Sequence, residues 1–223
     1  MPHQKISIPP TLKSIFRLYG KCFPSLLRLV LPLLVFAEVA NLIAGHLKGP
    51  GWIALSMVAW GLTTLADIKA LQLFLSRAGY RTSSLQPVSK STFFFFLFVT
   101  SFISIAFSLA SFFLIVPALL IYSSAILAPA FILEQTHGPF EAIGESVDET
   151  KGNVWRIGII LLFIWTPFLI LNVILGELLN SDNVVIQTAN FLFGIGTDLL
   201  GLLSYAVTAI VYVALRSSTL TTG

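Results

Sequence analysis

Charge is the first thing that this sequence lacks. Only 10% of its 223 residues are charged, whereas 56% are apolar, and a soluble globular domain carries about 25% charged residues. Since so few charges cannot cover a folded surface against water, lipid must cover much of it. The composition therefore predicts a polytopic membrane protein. It excludes a soluble enzyme, a disordered regulator and a conventional nucleic-acid binder, so no nucleic-acid partner is expected.

Cysteine and histidine are also scarce. The only cysteine is Cys22, so an intrachain disulfide and a cysteine metal cluster are excluded. His3, His46 and His137 are expected in the tail or loops, away from any serine that would need a base. The sequence contains no glycine-rich phosphate loop, zinc-type spacing or Ser/His/Asp grouping. We expect no cofactor, no metal site and no catalytic residue. The sequence favours a protein that is not an enzyme but does not exclude an enzyme.

Long apolar runs are abundant. A membrane helix needs about 20 apolar residues, and six such runs predict an all-α bundle of six transmembrane helices. The bundle is expected to occupy residues 23–216, between an N-terminal segment at 1–22 and a short tail at 217–223. The expected spans are roughly Phe23 to Gly45, Trp52 to Phe74, Phe93 to Leu114, Pro117 to Leu133, Val154 to Leu175 and Val184 to Leu215.

Lysine and arginine are distributed unevenly between these spans. Eleven of the 13 basic residues are assigned to one side of the membrane. They are Lys5, Lys13, Arg17 and Lys21 before span one, Arg28 near its start, Arg77, Arg81 and Lys90 after span two, Lys151 and Arg156 around the start of span five, and Arg216 after span six. The opposite connections hold only Lys48, and Lys69 lies inside the second span. Because cytoplasmic loops are enriched in Lys and Arg, the pattern predicts that both termini face the cytoplasm.

The N-terminal segment has the pattern of an amphipathic helix. Lys13, Arg17 and Lys21 recur at every fourth position, while Ile15 and Tyr19 belong to an apolar face. Such a helix is expected to lie in the cytoplasmic headgroup layer, with its cations near anionic lipid.

A second amphipathic helix is predicted at 139–151. Glu141, Glu145 and Glu149 repeat at every fourth position, beside an apolar stripe of Phe140, Ile143 and Val147. Like charges at this spacing disfavour a helix by about 0.2 to 0.5 kcal/mol per pair. One interpretation is a solvated face. The other is that the basic N-terminal helix docks against these glutamates.

Ionisable residues at membrane depth are costly and are functional candidates by default. The sequence places Glu38 in span one, Asp67 and Lys69 in span two, and Asp198 in span six. Residues two apart on a helix point to different sides, so Asp67 and Lys69 are not expected to pair. Interhelical hydrogen bonding without transport is the structural alternative.

Two prolines predict local breaks. Pro117 is expected to turn the chain on the outer side because proline cannot continue a helix. Pro129 lies inside span four, where it removes a backbone hydrogen bond and is expected to kink the helix. A kink there is expected either to form a groove or to be a static bend.

The stretch from Val116 to Arg156 resembles the signature of the YciC-type bacterial inner-membrane family, whose relatives include the membrane domain of some glycerophosphodiester phosphodiesterases. The resemblance implies a six-helix protein of the bacterial inner membrane, without an assigned activity. The residues that carry it are Val116, Pro117, Pro129, Glu134, Gly138, Ser146, Lys151, Gly152, Asn153, Trp155 and Arg156.

Three functions remain open at this stage. The first is a non-enzymatic role in envelope or lipid homeostasis, through bound lipid, a membrane-protein partner or a second copy of the chain. The second is a small transporter or permease whose path runs past Asp67 and Asp198. The third is a membrane enzyme acting on phospholipid headgroups.

Overall fold

The structure is a computed structural model that describes residues 5–47, 49–80, 88–113, 115–134, 138–178 and 184–220. Its side chains are described in those ranges except at 112–113, 168–169, 171–178, 184–190 and 217–220. All regular structure in these ranges is helical, which confirms the predicted all-α class. The helices are α1 (Ile8–Leu29), α2 (Leu31–His46), α3 (Pro50–Arg77), α4 (Lys90–Phe113), α5 (Ile115–Ala125), α6 (Ala128–Glu134), α7 (Pro139–Thr150), α8 (Val154–Leu178), α9 (Val184–Gly201) and α10 (Leu203–Leu220).

Several of these helices have the dimensions of membrane spans. α3, α4, the α5–α6 pair and the stretch Phe191–Arg216 of α9–α10 are each long and apolar enough to cross a bilayer. The α1–α2 pair makes a fifth when its two bent halves count as one span. Large apolar side chains such as Met57, Leu109 and Phe163 point outward from the bundle. The chain is therefore a helical membrane protein, while the count of six spans stays a prediction.

The N-terminal helix is longer than the sequence predicted. The helix is continuous through Phe23, where the first span was expected to begin, and the start of that span in the membrane stays a prediction. The change of direction lies at Val30, where α1 and α2 meet at 58°. Pro32 explains the bend because it has no N–H and its ring crowds the carbonyl of Arg28, four residues earlier.

The kink predicted at Pro129 is confirmed as a break between α5 and α6. Because Pro129 has no N–H, the carbonyl of Ala125 loses its normal helical donor. A serine from α7 repairs the break: the N–H of Leu127 donates to Ser146 Oγ at 3.0 Å, and the Ser146 hydroxyl donates to the Ser124 carbonyl at 2.8 Å. The Leu127 N–H and the Ser124 carbonyl thus have hydrogen-bond partners inside the protein, which backbone polar groups need within a membrane.

The buried face of α7 consists of Ala142, Ser146 and Thr150, which are fully buried. Of the expected apolar stripe, Ile143 packs against the core, whereas Phe140 and Val147 are exposed. Exposed apolar side chains are what an interfacial helix presents to lipid, so the interfacial position of α7 stays a prediction.

The segment before α1 is tied to the α7–α8 junction. The N–H of Ile6 donates to Asn153 Oδ1 at 2.9 Å, and Arg156 Nη1 donates to the Ile6 carbonyl at 3.1 Å. Asn153 is only 1% exposed. This clamp joins the N-terminus to the second half of the chain.

Candidate functional site

A polar cavity of about 250 Å³ lies between α2, α3, α5, α9 and α10. Two of the four intramembrane candidates, Asp67 of α3 and Asp198 of α9, line it together, although they are far apart in sequence. We call this space the carboxylate cavity. Its remaining polar walls are the hydroxyl-bearing side chains of Thr63, Tyr122, Thr197, Ser204 and Tyr205.

Asp67 is positioned on the inward face of α3. Its neighbours Ala66 and Ile68 are buried in the core, while Asp67 itself is half-buried because it opens into the cavity. Tyr205 of α10 lines the same cavity as Asp67. Asp67 lies ten residues before Arg77, at the end of α3, which is about 15 Å along the helix axis. The carboxylate is therefore well inside the span.

Asp198 belongs to a second pair of acidic groups. It lies within electrostatic range of both Asp67 and Glu38. Glu38 packs closely on α9, since a methyl group added at Gly194 would lie 3.1 Å from Glu38 Oε1. The glycine thus lets α2 and α9 approach each other. Glu38 lies beside the carboxylate cavity rather than in its wall.

The backbone that carries Asp198 is held by α1. Tyr19 reaches across from α1 and donates its hydroxyl hydrogen to the Leu199 carbonyl at 2.6 Å. Tyr19 also stacks on Phe74 of α3, with ring centroids 6.0 Å apart. The N-terminal helix therefore positions the acidic part of α9 against the helix that carries Asp67.

The wall opposite Asp67 is a small aromatic network. Trp165 of α8 donates its indole N–H to Ser204 Oγ at 3.0 Å, and Ser204 and Tyr122 both line the cavity. The rings of Tyr122 and Trp165 meet edge to face at 4.7 Å between centroids. These contacts fix the position of Ser204 and Tyr122 at the cavity surface.

The cavity carries negative charge without a basic counterpart nearby. Among the residues that the structure describes, no Lys or Arg forms an ion pair with Asp67 or Asp198. Lys69 is exposed on another side of α3, as expected from its spacing. Nor does the described part of the chain bring together three His, Cys, Asp or Glu side chains as a metal site would require.

A second, smaller cavity of about 60 Å³ lies behind the first. Tyr122 and Tyr205 line both spaces and therefore stand between them. We call the smaller space the hydroxyl cavity. Its other walls are Thr100, Ile103, Ser104, Ile126, Pro129 and Thr208.

Apart from Pro129 in the wall of the hydroxyl cavity, the residues of the family-like motif line neither cavity and serve the architecture. Ser146 repairs the helix break, while Asn153 and Arg156 clamp Ile6. Gly152 has a φ of +82° at the turn between α7 and α8, a conformation that favours glycine. Glu134 forms a 3.5 Å ion pair with Arg216 of α10.

The remaining motif residues occupy helix ends. The N–H of Gly138 donates to a carboxylate oxygen of Glu141 at 2.9 Å, at the beginning of α7. Lys151 pairs with Asp148 at the end of α7. Val116, Pro117 and Trp155 are exposed in the first turns of α5 and α8.

The basic residues of α1 and the glutamates of α7 were expected either to dock against each other or to remain solvated. Lys13, Arg17 and Lys21 are exposed along α1, whereas Glu145 and Glu149 of α7 act electrostatically on Arg216 of α10. The two halves of the chain do meet near α7. They meet through the Ile6 clamp and not through the expected lysine and glutamate rows.

Sequence reasoning missed the aromatic part of the site. Tyr122, Trp165 and Tyr205 belong to three apolar helices and have no spacing that links them. Their hydroxyl and indole groups, placed at span interiors, were the only signal, because a buried Tyr or Trp needs a polar partner.

Comparisons of this chain with protein-family models, with curated proteins and with solved structures found no match.

Proposed function

We propose that this protein binds a small cationic solute in the carboxylate cavity and moves it across the membrane, as a small transporter or permease. The observation that carries the proposal is the convergence of Asp67 and Asp198 on one cavity inside the helix bundle. Of the functions open at the sequence level, this one accounts for both residues.

Electrostatics favour a cationic ligand. Carboxylates at membrane depth are costly unless they are paired or hydrated, and the described residues supply no basic partner to this pair. A bound cation lowers that cost because attraction between opposite charges is stronger inside a protein than in water. The hydroxyl groups around the carboxylates add acceptors for the N–H groups of an ammonium ion.

The volume of the cavity limits the size of the ligand. Pockets for drug-sized ligands measure about 300 to 1,000 Å³, and the carboxylate cavity measures about 250 Å³. A primary ammonium group on a few heavy atoms fits this space.

Charge movement in proteoliposomes tests the proposal. The full chain is reconstituted on a solid-supported membrane, and the current that follows a concentration jump of ethanolammonium is recorded. Asp67→Asn and Asp198→Asn should each reduce the current more than tenfold, because each removes a negative charge from the cavity. Neutral amine diffusing through lipid carries no current and does not interfere.

Asp148→Asn is the matched control, since it removes a carboxylate from the exposed surface of α7. It should leave the current unchanged. A current equal to that of protein-free vesicles, or one that survives both cavity substitutions, contradicts the proposal.

A second candidate function is the binding of anionic lipid, in envelope or lipid homeostasis. The observation that favours it is the outer face of α1, where Lys13, Arg17 and Lys21 are exposed and Phe16 is 56% exposed. Cations flanked by an aromatic side chain are typical of helices that lie against anionic headgroups.

Lipid retention tests this second function. Native mass spectrometry after gentle extraction should show bound phosphatidylglycerol, and the combined Lys13→Gln, Arg17→Gln and Lys21→Gln substitutions should remove most of it. The combination Lys69→Gln, Arg77→Gln and Lys90→Gln changes the net charge equally at other exposed positions. Equal loss in both triple variants indicates unspecific attraction and rejects a lipid site on α1.

We also propose that the chain resides in a bacterial inner membrane with both termini in the cytoplasm. The distribution of Lys and Arg supports this orientation, and the resemblance of the 116–156 stretch supports the membrane. Topology reporters should therefore be active on the cytoplasmic side at both termini and on the outer side at Lys48. A C-terminal reporter on the outer side means an odd number of spans and overturns the orientation.

A further inference from the structure

The hydroxyl cavity opens toward the outside of the bundle. Ile103, Ile126, Pro129 and Thr208 in its wall are buried, whereas Ser104 of α4 is exposed. Ser104 lies fourteen residues after Lys90, where α4 begins, which is about 21 Å along the helix axis. Since the hydrocarbon core of a bilayer is about 30 Å thick, this opening faces acyl chains.

The chemistry of the wall is mixed. Ile103, Ile126 and Pro129 are apolar, and two wall hydroxyls are already engaged by backbone carbonyls. Thr208 donates to Ile126 at 3.2 Å, and Thr100 donates to Phe96 at 2.9 Å. A space of this kind suits the junction between a polar headgroup and an apolar chain.

The tyrosine pair connects this space to the carboxylates. Tyr205 and Tyr122 line both cavities, and Tyr205 lies in the wall of the carboxylate cavity with Asp67. A passage between the two cavities therefore has to open at these two rings.

We propose that the cation is carried on a lipid-soluble chain. Its ammonium group binds Asp67 and Asp198, the atoms next to it occupy the hydroxyl cavity, and its apolar chain leaves past Ser104 into the bilayer. This inference rests on the proposed cation site. It adds the class of ligand, an amphiphilic primary amine, and a lateral route of entry.

Binding of two ammonium probes to the full chain in nanodiscs tests the inference. Ser104→Phe fills the opening and should weaken hexadecylammonium binding at least tenfold, while ethanolammonium binding stays unchanged because it needs the carboxylate cavity alone. Ser108→Phe is the matched control, since Ser108 is an exposed serine one turn further along α4 that does not line the cavity. It should alter neither affinity.

The failures of the two proposals are distinguishable. If neither probe binds the unsubstituted chain, or if Asp67→Asn leaves both affinities intact, the cation site itself is wrong. If ethanolammonium binds through Asp67 but hexadecylammonium binds no differently after Ser104→Phe, the lateral route is wrong. Equal weakening by Ser104→Phe and Ser108→Phe assigns the effect to the lipid-facing surface and also overturns the route.

Discussion

The α5–α8 region and the carboxylate cavity use polar groups in opposite ways. In the α5–α8 region, Ser146 and Asn153 are fully buried and each is bonded to backbone groups of another segment. In the cavity, Asp67 and Asp198 are half-buried and line an open space. Polar groups of the first kind hold helices together, whereas those of the second kind are available to a ligand.

The two regions also differ in how visible they are in the sequence. The α5–α8 region carries eleven recognisable residues within a short stretch, because a broken helix, its repair and a tight turn are all local problems. The cavity takes one to three residues from each of five helices. A conspicuous motif therefore marks architecture in this protein, and the inconspicuous residues mark the site.

The largest expected effect on stability comes from Ser146→Ala. The substitution leaves the Leu127 N–H and the Ser124 carbonyl without the hydroxyl that joins them. An unsatisfied buried polar group costs about 1 to 3 kcal/mol, so the free energy of unfolding should fall by about that amount. Reversible unfolding in mixed SDS micelles measures it.

Ser111→Ala is the matched control for this substitution. The Ser111 hydroxyl donates to the Phe107 carbonyl at 2.7 Å within the same helix, and that carbonyl also has a helical N–H available. The free energy of unfolding should change by less than about 0.5 kcal/mol, as is usual away from such special features. If the two alanine variants lose equal stability, the helix break does not depend on Ser146.

An intermediate effect is expected from Asn153→Ala. It removes the acceptor for the Ile6 N–H, and an intramolecular hydrogen bond contributes about 0.5 to 1.5 kcal/mol to stability. The released N-terminus should be cleaved faster by trypsin at Lys5 and Lys13. Thr11→Val, which removes only an exposed hydroxyl bond to Ser7, should leave the cleavage rate unchanged; an equal rate in both variants refutes the clamp.

The smallest effect on stability is expected from Asp67→Asn. The amide has nearly the same size as the carboxylate and keeps its place in the cavity wall, and the cost of a charge at membrane depth disappears. The free energy of unfolding should stay within about 1 kcal/mol of the original value or rise, in the same micelle assay. A loss comparable to that of Ser146→Ala makes Asp67 a structural residue and removes the contrast between the two regions.

Local features of the fold were predictable because their causes are local. Pro129 removes one N–H wherever it stands in a helix, so its kink followed from the sequence. The bend between α1 and α2 was not predicted, although Pro32 beside it is a local cause. The burial of Ser146 on α7 was not predicted because its partners, Ser124 and Leu127, lie in another helix.

The sequence alone determined the membrane character and the helical class, since these depend on composition and on the length of the apolar runs. Only the tertiary structure decided that Asp67 and Asp198 share a cavity while Lys69 faces outward. It also placed Tyr122 and Tyr205 between two spaces. The physical reason is that helix rotation and pairing are set by the packing of all the neighbours together, and an apolar helix has no strong one-sided pattern that reveals its inward face.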